Sequence, residues 1–136
     1  ADKMLEEANG LIERMAELTQ QWSNEKAVEE IWMRFAQRFY QNFVYRIREN
    51  SQLPEETKNK ITEVWKGFKE LFLKYNIAVM DHEGFPFDSS VHLALSGSPR
   101  TSGNVERIIN VGFQRTSDAP QGAGVVLDKA RVRRGN

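Results

Sequence analysis

A chain of 136 residues, 40% hydrophobic and 10% aromatic, suffices for one ordinary domain, or a small domain plus an arm, and is too apolar to stay disordered. Its 19 basic and 19 acidic residues cancel, which argues against a dedicated nucleic-acid binder, since that would need an electrostatic footprint. With no cysteine there are no disulfides, thiolate zinc sites or thiol nucleophiles, and no apolar run approaches the roughly 18 residues of a membrane span. No signal-peptide pattern opens the chain, and the cytoplasm is the expected location, an organelle matrix or stroma remaining open.

Residues 1–75 hold one Pro and two Gly, whereas 76–136 hold three Pro and seven Gly. That shift predicts a helical part over 1–75 and a part built of strands and turns over 76–136. Met4, Ala8, Leu11, Met15, Leu18 and Trp22 recur at alternating steps of 4 and 3, a narrow seam of the coiled-coil kind. So narrow a seam needs a partner helix, and a second copy of the chain is the simplest one. Ser23 or Asn24 is placed to cap a new helix, and with no proline nearby the helix is equally free to run through. From Val28 the apolar stripe widens to include Ile31, Trp32, Phe35, Ala36, Phe39, Phe43 and Ile47, ending near Asn50. Pro54 suits the first turn of the next helix, which carries Ile61, Val64, Trp65, Phe68, Leu71, Phe72 and Tyr75 on one side. Two such helices in one chain are not expected to cover both wide stripes, while two copies would do so as a four-helix bundle. Leu11, Met15, Leu18, Trp22, Trp32, Phe35, Phe39, Phe43, Trp65, Phe68 and Phe72 are therefore the expected dimerisation residues.

Beyond Tyr75 the expected elements are short. Ile77–Met80 reads as a strand, and Asp88 as the cap of a single helical turn through Leu95. Ser96 to Gly103 reads as a loop. Val105–Phe113 alternates as a strand with Val105, Arg107, Ile109, Val111 and Phe113 on one side. Gly122-Ala123-Gly124 reads as a turn, and Val125–Val132 as the final strand. The fold class expected is α+β, ending in a small all-β domain.

Residues that could carry chemistry have ordinary explanations. His82 and His92 fit no metal-ligand spacing and read as a hydrogen-bonded loop histidine and a packed structural one. No serine stands in a nucleophile elbow, and the glycines at 122 and 124 lack the lysine of a phosphate-binding loop. Glu29-Glu30 and Glu55-Glu56 read as helix-face and first-turn charges. The expectation is a protein that is not an enzyme and takes neither metal nor cofactor. Lys129, Arg131 and Arg133 share one face of a strand and Arg134 follows. They could bind phosphate or RNA, but the preferred reading is charge protection of an edge strand.

The order of parts resembles the GrpE family, adenine-nucleotide exchange factors of DnaK-type heat-shock chaperones. Phe87-Asp88-Ser89-Ser90-Val91-His92-Leu93-Ala94-Leu95 is similar to that family's Phe/Leu-Asp-Pro-x-x-His-x-Ala segment, and sixteen residues separate it from a Gly112-Phe113 pair of the family's kind. Gly103-Asn104-Val105, Ile108 and Leu127-x-x-Ala130-x-Val132 resemble the flanking stretches. Ser89 stands at a usual Pro and Arg134 at a usual aliphatic residue; Lys60 and Arg38 also depart from the pattern. The resemblance implies a homodimer that binds a chaperone's nucleotide-binding domain through Phe87, Ser89, Ile109, Val125 and Arg134 and promotes ADP release, with no nucleic acid or membrane as partner. The alternative is a divergent dimeric scaffold whose changed β-domain binds another protein.

Overall fold

Helix α1, Asp2–Gln21, and helix α2, Glu25–Phe39, begin the chain. In the computed structural model, which describes residues 2–21, 25–50, 52–95, 103–120 and 122–135, the fold is mixed α+β. A π-helical turn, Tyr40–Val44, joins α2 to helix α3, Tyr45–Glu49. The Tyr45 N–H reaches back five residues to the Tyr40 carbonyl. The wider turn rotates the stripe so that Tyr40, Phe43 and Val44 all face inward. Asn50 leaves the helix with extended backbone, and the Pro54 carbonyl accepts the Lys58 N–H to start helix α4, Glu55–Lys74.

The chain divides into two compact units, Ala1–Phe68 and Lys69–Asn136. The division lies inside α4, before the boundary that composition suggests. In the first unit the aromatic stripes of α2 and α4 close on each other. Phe39 is the hub, 4.9 Å from Phe43, 5.1 Å from Phe68 and stacked parallel to Trp65 at 6.3 Å. Tyr40, fully buried, tilts against Trp65 at 5.4 Å, and its hydroxyl accepts a hydrogen bond from Arg48 at 3.1 Å. Trp32, Phe43, Trp65 and Phe68 are buried as well, while Phe35 is half-buried.

Within one chain α1 packs beside α2 and adds to this cover, while Val28, Ile31, Phe35, Val64 and Leu71 of the two stripes stay half-buried. Glu7, Gly10, Leu11 and Arg14 of α1 line a groove with Phe35, Arg38, Asn42 and Phe43, so α1 runs antiparallel along α2 and the π turn. Of the narrow seam, Ala8 and Met15 are buried, and Met4 and Leu11 half-buried. Residues 22–24 and the side chains of Leu18 and Trp22 lie outside the described residues, as do the capping positions Ser23 and Asn24.

Among its described residues the second unit holds six short strands in two three-stranded sheets. Strands β1 (Ile77–Met80), β4 (Gly112–Arg115) and β5 (Val126–Asp128) form one antiparallel sheet in the order β1-β4-β5. Strands β2 (His92–Ala94), β6 (Ala130–Arg134) and β3 (Val105–Asn110) form the other, in the order β2-β6-β3. Asn76, at φ 61°, ends α4 in the left-handed conformation that asparagine tolerates, and its carbonyl accepts the Thr116 N–H. Phe72, on the last turns of α4, is fully buried against Phe113 at 5.3 Å in this unit. Lys69 meets the buried carboxylate of Asp81 at 3.1 Å.

Three expected elements are corrected here. The run Val105–Phe113 is two strands that change sheet at Val111, and Val125–Val132 is likewise two strands that change sheet at Lys129. Gly112 lies against that second break, where a Cβ would overlap the Ala130 nitrogen. The helical turn after Asp88 stops at Val91, and His92–Ala94 is a strand because β6 offers it a parallel partner. Register shifts between Val105 and Arg107, and again between Ile108 and Asn110, break the alternation read from the sequence, so that Ile108 faces inward and Ile109 is only half-buried. Residues 96–102, most of the expected loop, lie outside the described residues. Gly122 and Gly124 both have positive φ in the connection to β5, as a turn there requires. No helix among the described residues is long and apolar enough to cross a membrane.

Candidate functional site

The segment between β1 and β2 builds an organised turn at the surface of the second unit. Gly84, at φ 87°, turns the chain where a side chain would be strained. Residues beyond it run beside the start of β3: the Gly84 N–H bonds to the Val105 carbonyl at 2.8 Å, and the Val105 N–H to the Phe85 carbonyl at 2.7 Å. Pro86 bridges Asn104, and the Phe87 N–H reaches the Gly103 carbonyl at 3.3 Å. This places Phe87 beside β6, where the Arg134 guanidinium lies over its ring at 4.1 Å.

Asp88 organises the turn that leads into β2. Its Oδ1 accepts from the Ser90 N–H at 2.9 Å and from the Ser90 hydroxyl at 2.7 Å, a turn typical of aspartate. Its carbonyl accepts the N–H groups of Val91 and His92. Its own N–H donates to His92 Nδ1 at 3.0 Å, and the His92 ring lies 5.7 Å from Phe87. The spacing of Phe87, Asp88, Ser90 and His92 is thus that of one interlocked turn, with Ser89 exposed at its tip.

The electrostatics of the turn are set by these bonds. The hydroxyl and N–H of Ser90 hold the Asp88 carboxyl below its usual range. Burial pushes His92 below its ordinary value, with the Asp88 charge opposing. Because Nδ1 accepts the Asp88 N–H, the neutral ring carries its proton on Nε2. Protonation at Nδ1 would break that bond. An unfolded chain takes up this proton near pH 6.5 and the folded one at lower pH. The contribution of neutral His92 is therefore complete above about pH 6.5 and is lost as pH falls below it. An NMR titration should place the His92 midpoint below 6.5, and His92→Asn should flatten the acid side of the stability profile near that pH.

Of the five residues assigned to a chaperone contact, the structure brings Phe87 and Arg134 together, with Ser89 on the same turn. Ile109 sits at a bulge of β3, and Val125, 52% exposed, precedes β5 in the other sheet. The sequence signals the turn, but no spacing rule pairs Phe87 with Arg134, residues that only the β3–β6 register brings close. His82 is exposed, its Nε2 3.9 Å from Asp81 Oδ1, which is too long for the hydrogen bond expected of it. Elsewhere, Thr116 bonds the Asp118 carboxylate at 2.7 Å and lowers its pKa, closing the turn before Ala119. No protein-family model matches the chain, and no curated protein matches it.

Proposed function

We propose that the chain is an adenine-nucleotide exchange factor that binds the nucleotide-binding domain of a DnaK-type heat-shock chaperone and speeds ADP release. The observation that carries this reading is the Phe87–His92 turn. Its Phe, Asp and His are the residues of the GrpE-like segment, and the bonds among them set out Phe87 and Ser89 at one surface turn. The action requires no bond chemistry. Contacts made with only the open form of the chaperone domain shift its population and lower its ADP affinity, and by reciprocity ADP weakens the complex. GrpE-like proteins pair as dimers; in this chain the aromatic stripes are already buried, and the groove around Leu11 is the part of the assigned dimer surface left open among the described residues.

Release of a fluorescent ADP analogue from a DnaK-type chaperone tests the reading. Acceleration is expected, and Phe87→Ala should reduce it by at least about tenfold, since truncating an aromatic anchor removes about 2 kcal/mol or more. No acceleration by a folded sample overturns the reading. One observation favours the alternative, a scaffold for another partner: Arg134 covers one face of Phe87, where the family usually has an aliphatic residue. Under the exchange reading Arg134→Val keeps or improves release. Under the alternative neither protein accelerates it.

A further inference from the structure

Strand β6 carries Arg131 and Arg133 in the middle of its sheet, paired with β2 on one side and β3 on the other. A central strand has no edge to guard, so the edge-protection explanation of these arginines fails. The antiparallel register sets Arg133 directly opposite Arg107, and the parallel register sets Arg131 beside Leu93. Alternation along β6 puts Arg131 and Arg133 on the face away from the buried Ala130 and Val132. Lys129 is exposed just before them. Leu93 and Leu95 are 49% and 37% exposed along the neighbouring strand, where the Leu95 N–H bonds to the Val132 carbonyl.

This face departs from what stability alone would select. Like charges directly opposite each other destabilise an antiparallel pair. Glu83 stands 3.7 Å from Arg107, Asp128 3.6 Å from Arg131, and the Asp88 charge interacts with Lys129, so these four cations meet three carboxylates among the described residues. Two exposed leucines border the charge. Three strands at about 4.8 Å spacing make a strip about 10 Å wide, the width of one helix.

We propose that this face binds an acidic amphipathic helix of a partner protein, its aliphatic side chains on Leu93 and Leu95 and its carboxylates on Arg107, Arg131, Arg133 and Lys129. Charge complementarity makes the occupant acidic, and the leucines make it amphipathic. A single-stranded nucleic acid would call for aromatic stacking platforms, and these six residues include none. None of the six belongs to the turn assigned to the chaperone, so this inference goes beyond the exchange reading and does not rest on it.

Fluorescence anisotropy with the whole chain tests it. The probe is a labelled synthetic helix of glutamate and leucine with the leucines at i, i+3, i+4 spacing; a scrambled version and a uridine oligonucleotide are the comparators. The ordered helix should bind, more weakly as salt rises, and Arg133→Glu and Leu93→Asn should each weaken it by about tenfold. Arg133→Glu should keep or raise the melting temperature, because it turns a repulsive cross-strand pair into an attractive one, so its loss of binding would not reflect unfolding. Failure of the ordered helix to bind overturns the proposal, as does binding unaffected by both variants or equal binding of the scrambled peptide. Tighter binding of the oligonucleotide, indifferent to Leu93→Asn, also overturns it and assigns the face to nucleic acid.

Discussion

Replacing Gly112 with alanine lowers the stability of the Lys69–Asn136 unit by about 3 kcal/mol or more, far beyond what one methyl group would suggest. The added Cβ would overlap the Ala130 nitrogen and stand 2.6 Å from the Asp128 oxygen and 2.7 Å from the Lys129 carbonyl carbon. All three are backbone atoms, which cannot move aside as the end of a flexible side chain can. They belong to the point where the chain leaves β5 for β6, so relief of the clash would separate the strands on which both sheets depend. Backbone strain is not the cause, since Gly112 lacks the positive φ of Gly84, Gly122 and Gly124. Gly10 is the control. A Cβ there meets nothing within 4 Å, so Gly10→Ala should stabilise α1 by about 0.5–1 kcal/mol. All three tryptophans, Trp22, Trp32 and Trp65, lie in the first unit. Gly112→Ala should thus leave tryptophan fluorescence unchanged while the amides of Phe113 and Ala130 lose protection from hydrogen exchange. Unaltered protection at those amides would show that the two corners do not touch.

Signals that act over a few residues are legible in the sequence. Asn50 and Pro54 bracket the turn between helices, the strand Ile77–Met80 has the bounds its apolar run suggests, and Asp88 starts a turn. The features that are not legible depend on a distant partner. His92–Ala94 is a strand only because β6 lies beside it, and an Asp-initiated turn followed by His-Leu-Ala looks locally like a helix start. The corners at Val111 and Lys129 are hidden in apolar runs that look continuous. Gly112 hints at the first, but its purpose appears only when Ala130 is found against it. The π turn leaves no pattern that a period of 3.6 would detect. Narrow and wide stripes read as surfaces for a second copy, and the packing of α1 beside α2, which buries Ala8 and Met15 within one chain, has no local signal either. For the candidate site, the sequence names Phe87 and Arg134 separately, and the cation–π contact between them comes only from the register of β3 on β6.

Truncating Phe39 should cost the helical unit about 3–5 kcal/mol, and the way that loss depends on protein concentration decides whether the aromatic core is shared between copies. Phe39 has no exposed surface and touches Phe43, Trp65 and Phe68 at once, so alanine leaves a cavity with rings on several sides. The surrounding rings belong to α4 and to the π turn, whose backbones are set by their own hydrogen bonds and cannot close over the space. If the aromatic core is complete within one chain, as its burial indicates, the denaturation midpoint read by tryptophan fluorescence does not move with concentration, either in the parent or in Phe39→Ala. A core shared between copies behaves differently: a hundredfold dilution then removes about 2.7 kcal/mol by mass action. The expected result is a concentration-independent midpoint. Light scattering that nevertheless reports a dimer would place the pairing on the open groove around Leu11 and Arg14, and Leu11→Glu would separate the copies while leaving the midpoint near that of the parent. A midpoint that falls on dilution would instead return Trp32, Phe39, Phe43 and Trp65 to the interface that the width of their stripes suggests.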